Sequence, residues 1–104
     1  MKTGKALIRE ITQSHPQPGQ ARFWWLGQHG YALRTKRKTL YLDPFLSPHG
    51  ERLVQAPLSP GEVVNADIVT GSHDHGDHID REALPALLRA SPRCKLIVPK
   101  ATVP

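Results

Sequence analysis

The chain has 104 residues, enough for one small domain or for part of a larger one. Apolar residues make up 38 % and charged residues 22 %, a balance typical of globular proteins that excludes a disordered or collagen-like chain. The formal charge of +5 invites a nucleic-acid interpretation. However, its densest cluster, residues 34–38, lies between two alternating apolar runs and is interpreted as a solvated hairpin tip, so nucleic acid is an unlikely partner.

Neither a membrane nor an export pathway is indicated by the sequence. No apolar run approaches the roughly 18 residues that a membrane span needs, and residues 1–15 lack the apolar core of a secretory signal. The single cysteine, Cys94, allows no internal disulfide. The predicted compartment is therefore the cytoplasm.

Periodicity predicts an α/β (α+β) fold with the element order helix, three strands, loop, strand, helix, strand. Residues 1–20 form a predicted N-terminal helix, centred on residues 5–11, and a linker; residues 21–104 form the main unit. Three strands between residues 22 and 43 make a β-meander, and a Pro- and Gly-rich loop over residues 44–65 is predicted to wall a site.

The second part of the chain continues with a strand at residues 67–70 and a helix carrying Leu84, Leu87 and Leu88. Pro85 fits that helix if it lies in the first turn. The segment "CKLIVP" predicts a last, buried strand, in which Cys94 is a small buried residue.

Side chains that can bind protons or metal ions are concentrated in "SHDHGDHID", which directly follows the strand at residues 67–70. A sharp turn at Gly76 would let His73 and His75 face one metal ion, and Asp77 and His78 a second. Imidazole and carboxylate suit Zn or Mn, with Fe possible, and two such ions can hold a bridging hydroxide. We therefore expect a dinuclear divalent-metal site, in which Asp77 also orients the hydroxide as the catalytic residue.

Other polar residues receive lesser roles. Asp43, at a strand end, is the candidate for holding the outer nitrogen of a ligating histidine. His15, in the linker, and His49, in the long loop, are predicted to be solvated. His29, in "GQHGY", either lines the site or caps a turn, and the turn-capping role is favoured.

"HDHGDH" resembles the His-x-His-x-Asp-His signature of the metallo-β-lactamase superfamily. The flanking segments "WWLGQHGYALRT" and "TLYLDPFLS" resemble its L-ascorbate 6-phosphate lactonase-like branch. This resemblance implies an αββα sandwich, His73 and His75 on the first metal, Asp77 and His78 on the second, and Asp43 supporting the metal loop. The family's later ligands have no counterpart here, so the chain is interpreted as an N-terminal half of that sandwich, truncated and inactive alone.

Two main functional hypotheses follow, with a third ranked lower. The first is the N-terminal part of a metal-dependent hydrolase that uses metal-bound hydroxide on a lactone, ester or phosphoester of a small molecule. Its site would be completed by the remainder of the domain or by a second chain. The second is a non-catalytic metal- or partner-binding fragment, and the third, favoured only by the positive charge, is a nuclease.

Overall fold

A computed structural model describes residues 2–103. It has two α-helices, α1 at Gly4–Gln13 and α2 at Leu84–Ala90, and one five-stranded sheet. Its strands are β1 at Arg22–Trp25, β2 at Tyr31–Arg34, β3 at Thr39–Leu42, β4 at Ile68–Thr70 and β5 at Lys95–Ile97. Short 3-10 turns lie at Pro60–Glu62 and Lys100–Thr102. Within residues 2–103, no helix combines the length and hydrophobicity that crossing a membrane would require.

The sheet has the strand order β1-β2-β3-β4-β5. The first three strands form the predicted antiparallel meander, and the basic turn between β2 and β3 is its exposed tip. β4 pairs in parallel with β3, and β5 in parallel with β4, with α2 as the crossover between them. In this register Leu42 lies opposite Thr70, so the residues that follow β3 and β4 meet at one edge of the sheet.

Both helices belong to a single hydrophobic core on one face of the sheet. α1 contributes Leu7, Ile8 and Ile11, which are the apolar residues of the predicted helix, and α2 contributes Leu84 and Leu87. The strand side chains of this core are Ala32, Tyr41 and Val69. Pro85 lies in the first turn of α2, where its missing N–H breaks no helical hydrogen bond.

The opposite face of the sheet is apolar and uncovered. Phe23 and Trp25 of β1 and Tyr31 of β2 are 66 %, 44 % and 41 % exposed, and they alternate with the core-facing residues. Leu33, Leu40 and Ile68 continue this face only half-buried. One sheet with helices on a single face is the predicted half of a sandwich. Such a half is expected to leave the other face of its sheet exposed to solvent, as is found here.

The last strand corrects one prediction. β5 was expected to be buried, but all three of its residues are exposed, with Ile97 at 56 %. Cys94 precedes β5 and is half-buried, so it is not a buried residue of that strand. The cause is the position of β5 at the edge of a sheet whose second face has no cover, which an apolar sequence run cannot reveal.

Candidate metal centre

The histidine-rich loop begins directly after β4 and is held against the sheet by its own backbone. Gly71 donates its N–H to the Ile97 carbonyl at 3.0 Å, and Ile79 donates to the His75 carbonyl at 2.8 Å. A Cβ at Gly71 would lie 2.5 Å from Cγ1 of the buried Ile79, so any larger residue there would have to displace that side chain. The predicted turn at Gly76 is present, since His78 and Ile79 both donate to the His75 carbonyl. It does not require a glycine, because the φ of Gly76 is not positive and nothing lies within 4 Å of its would-be Cβ.

Asp43 lies at the end of β3, and its side chain is the point at which the hydrogen bonds of the histidine-rich loop meet; we call it the hub. Its φ of +47° is left-handed, a conformation that costs energy outside glycine and is tolerated best by Asn and Asp. Its N–H donates to the Thr70 carbonyl at 2.9 Å, which fixes it across from β4. Its Oδ2 accepts hydrogen bonds from His78 Nδ1 at 2.6 Å and from the Ser72 hydroxyl.

Ser72 connects this hub to the next histidine, and sequence reasoning gave it no role. Because the Ser72 hydroxyl donates its only proton to Asp43, its oxygen accepts from His73 Nδ1 at 3.0 Å. Asp43 thus fixes His78 directly and His73 through Ser72. These acceptors assign the proton of both rings to Nδ1, an assignment that leaves the Nε2 lone pair free to bind an ion. The one sequence feature that could have indicated this role is the position of Ser72, a hydroxyl residue, directly before the motif.

His73 and His75, the predicted ligands of a first ion, lie close together. His73 Nε2 lies 3.1 Å from His75 Nδ1, and the two rings meet edge to face with centroids 4.6 Å apart. Two nitrogens bound to one tetrahedral ion at bonds of about 2.1 Å lie roughly 3.4 Å apart. The 3.1 Å separation is a hydrogen-bond distance, and it lies about 0.3 Å short of the spacing that a shared ion needs.

Asp77 and His78 form the second pair. Asp77 Oδ2 lies 3.8 Å from His78 Nε2, which is the ring nitrogen that Asp43 leaves free. The His78 side chain is only 14 % exposed, whereas that of Asp77 is 35 % exposed. The buried imidazole is thus fixed in place, and the carboxylate beside it reaches solvent.

His29 lies against this second pair. Its ring stacks on the His78 ring with centroids 5.0 Å apart and planes 18° from parallel. Ligand atoms of His29, Asp77 and His78 all lie within 4.8 Å of one another. The favoured turn-capping role is not supported, since no hydrogen bond recorded for residues 2–103 uses the His29 ring. His15 and His49 are exposed, as predicted.

A cleft of about 620 Å³ opens beside Asp77. The long loop at residues 44–65 supplies one wall, as predicted, and residues 76–82 supply the other. Phe45, Ser47 and His49 line the first wall, and Asp77 and Arg81 the second. The loop therefore places a cavity of substrate size against the more exposed side of the candidate centre.

Two buried charges hold this loop in place. Asp80 accepts hydrogen bonds from Leu46 N–H, from Ser47 N–H and from the Ser47 hydroxyl, at 2.7 to 3.0 Å. Arg52 donates to the carbonyls of Phe45, at 2.6 Å, and of Val54, at 2.8 Å. Burial lowers the pKa of the Arg52 guanidinium, and the nearby Asp80 carboxylate opposes that shift. These bonds satisfy the loop's polar backbone and fix the wall of the cleft.

Comparison with known proteins places this geometry in a family. Residues 22–103 match the model of the beta-lactamase superfamily domain, which is most of the chain. The chain belongs to the beta-lactamase superfamily. The resemblance carried by "HDHGDH" and its flanks is thereby confirmed, as is the mixed α/β half of the superfamily's fold.

Curated members of the superfamily are similar to parts of the chain. A UPF0173 metal-dependent hydrolase of Methanosarcina barkeri is 46 % identical over 55 residues, which is 53 % of this chain and 21 % of that protein. Probable L-ascorbate-6-phosphate lactonases of Shigella dysenteriae and Escherichia fergusonii are 26 % and 27 % identical over 113 residues. Each lactonase match covers 83 % of this chain and 32 % of the relative. The chain thus spans a third or less of these relatives.

The superfamily's hydrolases include proteins named as metal-dependent, and the donors here fit such an ion. Imidazole nitrogens and carboxylate oxygens are the ligands that Zn and similar divalent ions prefer. His73 and His75 form one pair of converging donors, and Asp77 and His78 form another. The donor types, their proximity and the supporting carboxylate therefore fit a divalent metal ion.

Proposed function

We propose that this chain forms the metal-binding and water-activating part of a hydrolase that acts on a lactone, ester or phosphoester of a small molecule. The observation that carries the proposal is the hydrogen-bond hub at Asp43, which holds the His78 ring directly and the His73 ring through Ser72. Metal-dependent hydrolases and lactonases among its relatives support the reaction class. The cleft beside Asp77 supports a substrate of small-molecule size.

His73 Nε2 and His75 Nδ1 would hold the first divalent ion, and Asp77 Oδ2 and His78 Nε2 the second. Zinc or manganese are the expected ions, with iron as a further candidate. When bound, two such ions lower the pKa of water to near neutrality and polarise the substrate oxygen. These two positions correspond to the two donor pairs already described.

Asp77 is the proposed catalytic residue. Its carboxylate is the more exposed member of the second pair and lines the cleft, so one oxygen can bind an ion while the other accepts a hydrogen bond from the attacking water. Asp43 is a positioning residue: it holds His78 and Ser72 and does not line the cleft. His78 is kept in the tautomer that a metal ligand requires.

We further propose that this unit needs a second structural part for activity. The uncovered sheet face with Phe23, Trp25 and Ile97 exposes apolar side chains that a stable domain buries. Two donor pairs also leave each proposed ion with fewer protein ligands than the three or four usual for zinc. The remainder of the domain, or a second chain, would cover the face and supply further ligands.

The first test is the intact mass of the native protein together with its activity. A native mass well above 11.6 kDa supports completion by a longer chain, and 11.6 kDa requires a second chain. The native protein is assayed with Zn²⁺ or Mn²⁺ on lactones, carboxylic esters and phosphoesters of small molecules. His75→Ala should abolish turnover, and His15→Ala, which changes an exposed histidine of the linker, should not.

Turnover that survives His75→Ala would refute the proposal. Full turnover by residues 1–104 alone would refute the proposal that this unit needs a second structural part for activity. RNA cleavage with steep salt dependence, and no small-molecule hydrolysis, would favour the nuclease alternative instead.

A further inference from the structure

We propose that His29, in the turn between β1 and β2, is a protein ligand of the second ion. The inference rests on the proposed function, because it assumes that Asp77 and His78 hold an ion. Ligand atoms of these three side chains lie within 4.8 Å of one another. The His29 ring is exposed and lies beside His78 with its plane 18° from parallel, so its nitrogens can turn towards the gap between His78 and Asp77 without leaving a core.

The two candidate groups that share His78 differ in chemistry. In the group of Asp43, His73 and His78, the carboxylate lies 2.6 Å from His78 Nδ1, which is a hydrogen-bond distance and is shorter than the roughly 3.4 Å between two ligands of one ion. His78 Nδ1 is therefore occupied by Asp43. His78 Nε2 remains, and it faces Asp77 at 3.8 Å, on the side where His29 lies.

The backbone supports this position for His29. Gln28, the residue before it, has a φ of +50°, and its carbonyl accepts a hydrogen bond from Trp25 Nε1 at 2.9 Å. Gly30, the residue after it, packs against Asp43: a Cβ there would lie 3.0 Å from the Asp43 carbonyl oxygen. The turn that carries His29 is thus held in register with the same aspartate that orients His78.

Two imidazole nitrogens and one carboxylate oxygen would give the second ion three protein ligands and leave a position open. Three protein ligands with an open position are the usual arrangement of a catalytic divalent ion. A histidine from the β1–β2 turn would complete, from within residues 2–103, a ligand set that the "HDHGDH" loop supplies only in part.

The test measures metal affinity in the full protein, with Zn²⁺ in competition with a chelator and Co²⁺ absorption as a spectroscopic readout. His75→Ala is introduced first, so that the first ion is lost and the second is measured alone. His29→Phe is then added, which keeps a ring that can stack on His78 and removes both nitrogens. We expect affinity for the remaining ion to fall at least about tenfold, with a changed Co²⁺ spectrum.

The matched control is His15→Phe in the same background, which changes an exposed linker histidine and should leave both readouts unchanged. Unchanged affinity and spectrum in His29→Phe would overturn the inference and leave the proposed function standing, because the ion would still be bound. A parent protein that binds no Zn²⁺ would overturn both. If His29→Phe did not fold, His29→Gln gives the same comparison with a side chain suited to an exposed turn.

Discussion

Asp43→Asn is the perturbation that tests the hub most directly. The carboxylate accepts from His78 Nδ1 and from the Ser72 hydroxyl through the same oxygen, Oδ2. An asparagine has one acceptor oxygen and no negative charge: with that oxygen at the Oδ2 position both bonds persist without charge assistance, and with the NH₂ group there both are lost. In either arrangement the preference of His78 for a proton on Nδ1 is weakened, so a larger fraction of the ring carries its proton on Nε2, the nitrogen that the proposed ion needs. Asparagine tolerates the left-handed backbone at this position, so the fold is retained.

The expected magnitude follows from the charge-assisted hydrogen bond to His78, which is lost in either arrangement. One hydrogen bond between a charged acceptor and His78 is worth about 2 kcal/mol net, which corresponds to a roughly thirtyfold weaker affinity for the metal. This value lies within the roughly tenfold to hundredfold range typical when the partner of a metal-bound histidine is removed. The thermal unfolding midpoint without metal should change by only a few degrees, because Asp43 lies outside the hydrophobic core.

The assay is Zn²⁺ competition with a chelator, run beside the matched variant Asp74→Asn. Asp74 lies between His73 and His75 but pairs only with Arg81, and both side chains of that pair are more than half exposed. Its replacement should leave metal affinity unchanged. Equal affinities of Asp43→Asn and the parent protein, with the fold intact, would refute the argument that Asp43 sets the tautomer of His78.

Three further predictions concern the supports of the site and the free thiol. Gly71→Ala should lower the free energy of unfolding by about 1 to 3 kcal/mol in urea titration, since its Cβ would meet Ile79 at 2.5 Å. The control Gly76→Ala should change that free energy by less than about 0.5 kcal/mol, and equal effects of the two variants would contradict this packing argument. Asp80→Asn should cost about 2 kcal/mol in the same titration, because donors of the long loop lose a buried carboxylate, and an unchanged urea midpoint would count against that role. Burial raises the pKa of the Cys94 thiol, so less thiolate is present at pH 8 than for a free cysteine. Alkylation of Cys94 by iodoacetamide should therefore be slower than that of free cysteine, and equal or faster alkylation would contradict the raised pKa.

Local patterns were sufficient to predict most of the fold. Leu7, Ile8 and Ile11 repeat at helical spacing, and they are the buried residues of α1. The alternating runs on either side of the basic turn became β2 and β3. The same reasoning gave the wrong burial for β5, because an apolar strand is buried only if something covers it, and Ile97 lies at an open edge. Local sequence carries no information about that missing cover.

In the candidate site, too, some residues could be proposed from local sequence and others could not. The four residues of the motif could be proposed as ligands because they lie within six positions of one another, and Asp43 as their support because it follows a predicted strand. Ser72 and His29 were given little weight, since their importance depends on contacts with residues far along the chain: Ser72 with Asp43, and His29 with His78. Such contacts depend on the parallel pairing of β3 with β4, which sequence periodicity did not specify.

That parallel pairing explains why this half of the fold can carry an organised site by itself. Because β3 and β4 end side by side, Asp43 and the loop after Thr70 leave the sheet at the same edge, where a single carboxylate can reach two histidines. The energetic cost of placing Asp43 in a left-handed conformation is offset by its backbone hydrogen bond to β4. The protein's own hydrogen bonds therefore orient His78 and His73, and we expect a completing segment to add ligands and cover but not to build the hub.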